Sequence, residues 1–92
     1  MKKYSLDPDG ISAFHDMIGA LGDEGLVRHA QAASTDFLSW AAGNFELDVR
    51  LLEELRALPG PFLLQAGWWA GACLVGRMPL HFLFSCLERR AF

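Results

Sequence analysis

The chain has 92 residues, of which 52% are hydrophobic and 12% aromatic, and its formal net charge is −3. This length allows one domain with one core, and a core of that size gives modest stability. Residues 1–60 carry ten acidic and five basic side chains, so they lack the basic face that nucleic-acid binding requires. Residues 61–92 hold only three arginines. We therefore expect no nucleic-acid partner.

The N-terminal half predicts acidic, amphipathic helices. Asp7 and Pro8 are a typical N-cap and first helical residue. Apolar residues then recur at helical spacing as far as Gly22, which is typical of the residue that follows a helix. A second helix is predicted from Asp23. Ser34-Thr35-Asp36 allow this helix either to bend or to end before a further short helix.

The next helix is the clearest in the sequence, because leucines from Leu47 to Leu58 form one apolar face. Arg50 and Glu54 lie four residues apart, which predicts an ion pair on its exposed side. Pro59-Gly60-Pro61 then ends the helix.

A fourth helix, at about residues 61–76, is predicted to be apolar on nearly every side. A helix of this kind must be covered all round, by protein or by lipid. After a joint at Arg77-Met78-Pro79, a fifth helix is predicted to reach about Arg90. The fold class is therefore all-α, a compact bundle of about five short helices. The single domain, 1–92, divides into acidic amphipathic helices (1–58) and an apolar helical hairpin (61–91).

The most unusual segment is Gly67-Trp68-Trp69-Ala70-Gly71. Small residues one turn apart let another helix approach closely, and large aromatic side chains dominate contact energies when buried. Either this helix is a buried core helix, or it forms an interface with a second chain. Because helices one to three should leave part of helix five uncovered, we expect a homodimer or a protein partner. The expected interface residues are Gly67, Trp68, Trp69, Gly71, Phe82 and Phe84.

No motif in the chain specifies a reaction. Ser12, His15 and Asp16 stand in triad-like order, but nothing near the serine predicts an oxyanion hole or a strained turn. His15, His29 and His81 lack metal-motif spacing, so a metal or haem site would need convergence in three dimensions. We expect no enzyme activity, no cofactor and no metal. A cofactor site built from the histidines is kept as an alternative.

Cysteine usage and the N-terminus indicate a cytoplasmic protein. Cys73 and Cys86 lie in apolar runs, which favours buried, reduced thiols over a disulfide. Lys2 and Lys3 resemble the start of a signal peptide, but no apolar segment follows them.

These features favour a non-catalytic interaction or regulatory protein that self-associates or binds a protein partner through its apolar C-terminal helices. One alternative is a membrane-associated protein that uses residues 61–87. The apolar run of 61–76 is shorter than the ~20 residues that span a bilayer, so surface or re-entrant attachment is favoured. Another alternative is a precursor peptide. The acidic helices and the Gly43–Leu55 stretch resemble the helical leader domains of modified-peptide precursors, although the chain lacks a double-glycine cleavage site.

Overall fold

The computed structural model describes residues 3–76, 78 and 80–89, and it describes side chains up to residue 86. Within this part of the chain the only β-structure is one isolated parallel bridge between Tyr4 and Phe45. The predicted all-α bundle of five helices is confirmed. Arg77 and Pro79 of the predicted joint, and Arg90, lie outside the described residues. The helices are α1 (Pro8–Thr35), α2 (Phe37–Asn44), α3 (Val49–Arg56), α4 (Gly60–Val75) and α5 (His81–Arg89).

Aspartate side chains cap the N-termini of three of these helices. Each accepts a hydrogen bond from the backbone N–H three residues on, at 2.7 Å for Asp7, 3.1 Å for Asp36 and 2.7 Å for Asp48. These bonds satisfy N–H groups that have no partner inside the helix. The predicted start at Asp7 is confirmed. At residues 34–36 the sequence allowed either a bent helix or the end of one helix before another. The second alternative is observed, because α1 ends at Thr35 and a new helix begins at Phe37.

Helix α3 shows the pattern that its leucines predict. Leu51 and Leu55 are buried, and Arg50 and Glu54 form the predicted ion pair with 3.5 Å between Nε and Oε1. The helix covers Val49–Arg56, so it is shorter at both ends than the leucine pattern indicates.

Helix α1 joins the first two predicted helices into one element with a break at Gly22. This residue has φ 78° and ψ −173°, whereas the helix continues on either side of it. Such a backbone conformation is essentially restricted to glycine, because a Cβ would meet its own backbone. The predicted boundary is therefore present as a break inside one long element.

Two glycines in this region should respond in opposite ways to alanine. A Cβ on Gly19 would meet no atom within 4 Å, so Gly19→Ala should stabilise the fold by about 0.5–1 kcal/mol through helix propensity. Gly22→Ala should destabilise it by about 1–3 kcal/mol because of the positive φ. Urea unfolding followed by circular dichroism measures both. A gain in stability for both variants would contradict the break at Gly22.

The second half of α1, residues 23–35, packs against α4 through small residues. A Cβ on Gly67 would clash with the carbonyl oxygen of Ala33, and one on Gly71 would lie 3.2 Å from that of Ala30. The order of these pairs shows that the two helices run antiparallel. The close approach that small residues allow is therefore used within the chain.

The first half of α1 holds the centre of an aromatic core. Phe14 is fully buried, and its ring centroid lies 5.6 Å from Tyr4, 5.8 Å from Trp40 and 4.7 Å from Phe45. Phe84 of α5 continues the cluster at 5.0 Å from Phe45. Most of these rings meet edge to face, the arrangement that aromatic quadrupoles favour.

Candidate functional site

Helix α4 buries one side against its own chain and leaves the opposite side open. Leu64, Trp68 and Val75 lie on the open side, with 46%, 61% and 59% of their surface exposed. Their spacing of four and seven residues places them on one face of a helix. We call these three residues the α4 stripe. The side of α4 that is buried in the chain consists of Ala66, Gly67, Ala70, Gly71, Cys73 and Leu74.

The α4 stripe belongs to a helix without charge. Residues 60–75 include no Asp, Glu, Lys or Arg, and Gln65 is their only amide side chain. The sequence predicts that helix four is covered on every side. The chain itself covers only one side of this helix. An apolar helix face left open in this way is typical of a contact site.

The six residues predicted for an interface fall into two groups. Gly67 and Gly71 face α1, and Phe84 lies in the aromatic core, so these three are buried within their own chain. Trp69 is half-buried against the same core. Trp68 and Phe82 are exposed. The interface itself stays a prediction, and the structure leaves two of the six residues fully available for it.

Exposed apolar side chains occur on both α4 and α5, the two helices on which the interface is predicted. Leu80, Leu83 and Phe84 are buried, whereas Phe82 of α5 is 64% exposed. On α4 the exposed large apolar residues are Phe62 and the α4 stripe, and of these only Trp68 was predicted. Leu64 and Val75 could have been found from their spacing to Trp68, once the small residues were assigned to the opposite, buried side.

A cavity of about 480 Å³ lies between the first half of α1, the end of α4 and the start of α5. It brings His15 and His81 together, although they are distant in sequence. Ser12 and Asp16 lie on its wall as well. The apolar part of its lining comes from Pro8, Ile11, Ile18, Leu26 and Leu74, with Gly19 and Gly22 completing it.

His15 has an unusual environment in this cavity wall. Its Nε2 atom is shielded from solvent and has no hydrogen-bond partner. Burial lowers the pKa of His15, and the carboxylate of Asp16 raises it by a smaller amount. The lowered pKa favours the neutral form of the imidazole. A buried polar atom without a partner costs about 1–3 kcal/mol, so this atom calls for an explanation.

The triad-like order of Ser12, His15 and Asp16 is not matched by a hydrogen bond from Ser12 to Nε2 of His15. Because Nε2 of His15 has no hydrogen-bond partner, Ser12 does not donate to that atom. An activated nucleophile needs such a bond to its base.

His29 lies outside this cavity and has partners of its own. The indole Nε1–H of Trp40 donates to Nδ1 of His29 at 3.1 Å, and the Phe14 ring meets His29 edge to face at 5.6 Å. Burial lowers the pKa of His29. These contacts give His29 a structural role beside the aromatic core.

The other candidate ligands are not gathered into a metal site. Within the described residues, no group of three or more His, Cys, Asp and Glu side chains is placed to hold a metal ion. Cys73 and Cys86 are both free, as predicted; Cys73 is buried and Cys86 half-buried. Burial raises the pKa of the Cys73 thiol, which favours its protonated form.

The fold defines this chain as a small all-α helix bundle. No family model, no curated protein and no solved structure matches it. In the part of the chain that the structure describes, none of the helices has the length and apolar character needed to cross a bilayer.

Proposed function

We propose that this chain is a non-catalytic, cytoplasmic interaction protein that forms a homodimer through the α4 stripe. The supporting observation is that Leu64, Trp68 and Val75 remain exposed on one face of an uncharged helix. Contiguous apolar surface rimmed by polar residues marks contact sites on soluble proteins. Tryptophan is also among the residues that contribute most to binding energy when an interface covers them.

A second copy of the chain suits this surface because of its charge. Each chain carries a net charge of −3, so two copies repel each other wherever acidic faces meet. Residues 60–75 contain none of these acidic side chains. In a two-fold dimer the same face lies on both sides of the contact, so an uncharged face avoids like-charge contacts.

The expected dimer is weak, since one helix pair is a small interface. A helix of 16 residues is about 24 Å long. We expect it to bury less than the roughly 800 Å² per partner that stable complexes use. We therefore expect a dissociation constant in the micromolar range.

Trp68→Glu should weaken the dimer by about 30-fold, since a two-fold contact brings two buried carboxylates together. The fold should persist because Trp68 is exposed in the single chain. Sedimentation equilibrium over a range of concentrations measures the effect. Val49→Glu is the matched control, because Val49 is an exposed apolar residue of α3, outside the stripe.

Three results would contradict this proposal. A wild-type chain that stays monomeric at high micromolar concentration would exclude the dimer. An equal loss of affinity in Val49→Glu would exclude the α4 stripe as its location. Flotation of the wild-type chain with liposomes, lost in Trp68→Glu, would show that the stripe binds a membrane surface instead.

A further inference from the structure

We infer that the hydrogen bond between His29 and Trp40 is an acid-sensitive contact that controls how firmly α2 is held against α1. Trp40 lies on α2, and its indole Nε1–H donates to Nδ1 of His29 on α1 at 3.1 Å. Uptake of a proton by His29 breaks this bond and loosens α2. Neither residue belongs to the α4 stripe, so the inference does not depend on dimer formation.

The chemistry of the two rings makes the bond depend on the protonation state of His29. An indole nitrogen can only donate, whereas a neutral imidazole has one donor and one acceptor nitrogen. Because Nδ1 accepts from Trp40, the proton of the neutral imidazole lies on Nε2. A second proton has to bind at Nδ1, where its N–H group would point at the N–H group of the indole. Protonation of His29 and the bond to Trp40 therefore exclude each other.

The position of Trp40 makes loss of this bond costly. Trp40 is only 5% exposed, and its ring packs against those of Phe14, Phe37 and Phe45. Without His29, the indole N–H has no acceptor unless the ring moves toward water. A buried donor without a partner favours local opening of the structure. Because α2 carries Trp40, this helix should separate from α1 more readily when His29 is protonated.

The charged side chains near His29 are already paired. On its own helix, Arg28 forms an ion pair with Glu24 at 3.0 Å. From the start of α2, Asp36 lines the same open groove as His29, and its carboxylate accepts two hydrogen bonds from Ser39. Asp36 is also exposed, so water and salt screen its attraction to a protonated imidazole. These groups do not replace the bond to Trp40.

The other surroundings of His29 favour its neutral form. The Phe14 and Trp40 rings that contact it are uncharged, and residues 60–75 of α4 include no Asp, Glu, Lys, Arg or His. Burial lowers the pKa of His29 below its ordinary value of 6.5. The folded chain then takes up this proton less readily than the unfolded chain. The contribution of the bond to stability is therefore fully present above pH 6.5 and is lost as the pH falls through the pKa of His29.

The end of α2 connects this contact to the N-terminal segment. The backbone N–H of Tyr4 donates to the carbonyl of Asn44, the last residue of α2, and the N–H of Glu46 donates to the carbonyl of Tyr4, both at 2.8 Å. The Asn44 side chain in turn donates to the carbonyl of Trp40 at 2.8 Å. Loosening of α2 should therefore open the backbone hydrogen bonds of Tyr4 and Glu46.

An NMR titration of the ¹⁵N-labelled full chain from neutral to mildly acidic pH tests this inference. The indole resonance of Trp40 should shift with the same midpoint as the His29 ring. On the acid side, protection of the Tyr4 and Glu46 amides against hydrogen exchange should fall about three- to tenfold, the effect of one net hydrogen bond. Overall stability is not a sufficient readout, because burial also lowers the pKa of His15.

Three variants separate this contact from general effects of acid. His29→Gln keeps an acceptor but cannot take up a proton, so both readouts should stay constant with pH. Trp40→Phe removes the donor and keeps an aromatic ring, so the midpoint of His29 should rise. Trp68→Glu should behave like the wild-type chain.

Several results would overturn the inference. One is a Trp40 indole resonance that does not follow the titration of His29. Others are an unchanged His29 midpoint in Trp40→Phe, and an acid loss of amide protection that persists in His29→Gln. Unfolding of the whole chain before His29 takes up a proton would also overturn it.

Discussion

Phe14→Ala is expected to lower the free energy of unfolding by about 3–5 kcal/mol. Phe14 is fully buried, and its ring touches Tyr4, Trp40 and Phe45. Truncation removes these contacts and leaves a cavity that the neighbouring rings can fill only in part. A domain of this kind has about 5–15 kcal/mol of stability in total, so the variant should be close to unfolding at 37 °C.

Urea unfolding followed by far-ultraviolet circular dichroism measures this loss. Phe82→Ala is the matched control, because the same side chain is removed from an exposed position. At concentrations where the chain is monomeric, it should cost less than about 1 kcal/mol. Similar losses in the two variants would show that Phe14 is not at the centre of the core.

Gly67→Ala is expected to destabilise the protein by about 3 kcal/mol, against the direction that helix propensity predicts. A Cβ at this position would clash with the carbonyl oxygen of Ala33 and lie 3.3 Å from Cβ of Phe37. The clash involves backbone, so a side-chain rotation cannot relieve it. The helices α1 and α4 must move apart, and packing along their whole contact is loosened.

Gly43→Ala is the control for Gly67→Ala, since its Cβ would meet no atom within 4 Å and it also lies in a helix. This variant should gain up to about 1 kcal/mol. Thermal unfolding of both proteins distinguishes packing from propensity. A stabilised Gly67→Ala variant would show that α1 and α4 do not cross at these residues.

The cavity and the stripe differ in how far the sequence could predict them. The periodicity of α4 is obscured, because its buried side is small and its exposed side is large, and both are apolar. The usual contrast between polar and apolar faces is therefore missing. The contacts of Gly67 and Gly71 with residues such as Ala30 and Ala33 of α1 show which side of α4 is covered. His15 and His81 line one cavity from two different helices, and no local sequence pattern predicts that arrangement.

The sequence by itself determined the all-α class, the number of helices and some of their ends. Those features depend on interactions within a few residues, such as the Asp7 cap, the Gly22 break and the leucines of α3. Tertiary structure alone decided which side of α4 is open, that Phe84 lies in the core, and that two distant histidines share a cavity. These outcomes depend on how surfaces of similar hydrophobicity fit together, and shape decides between them where hydrophobicity cannot.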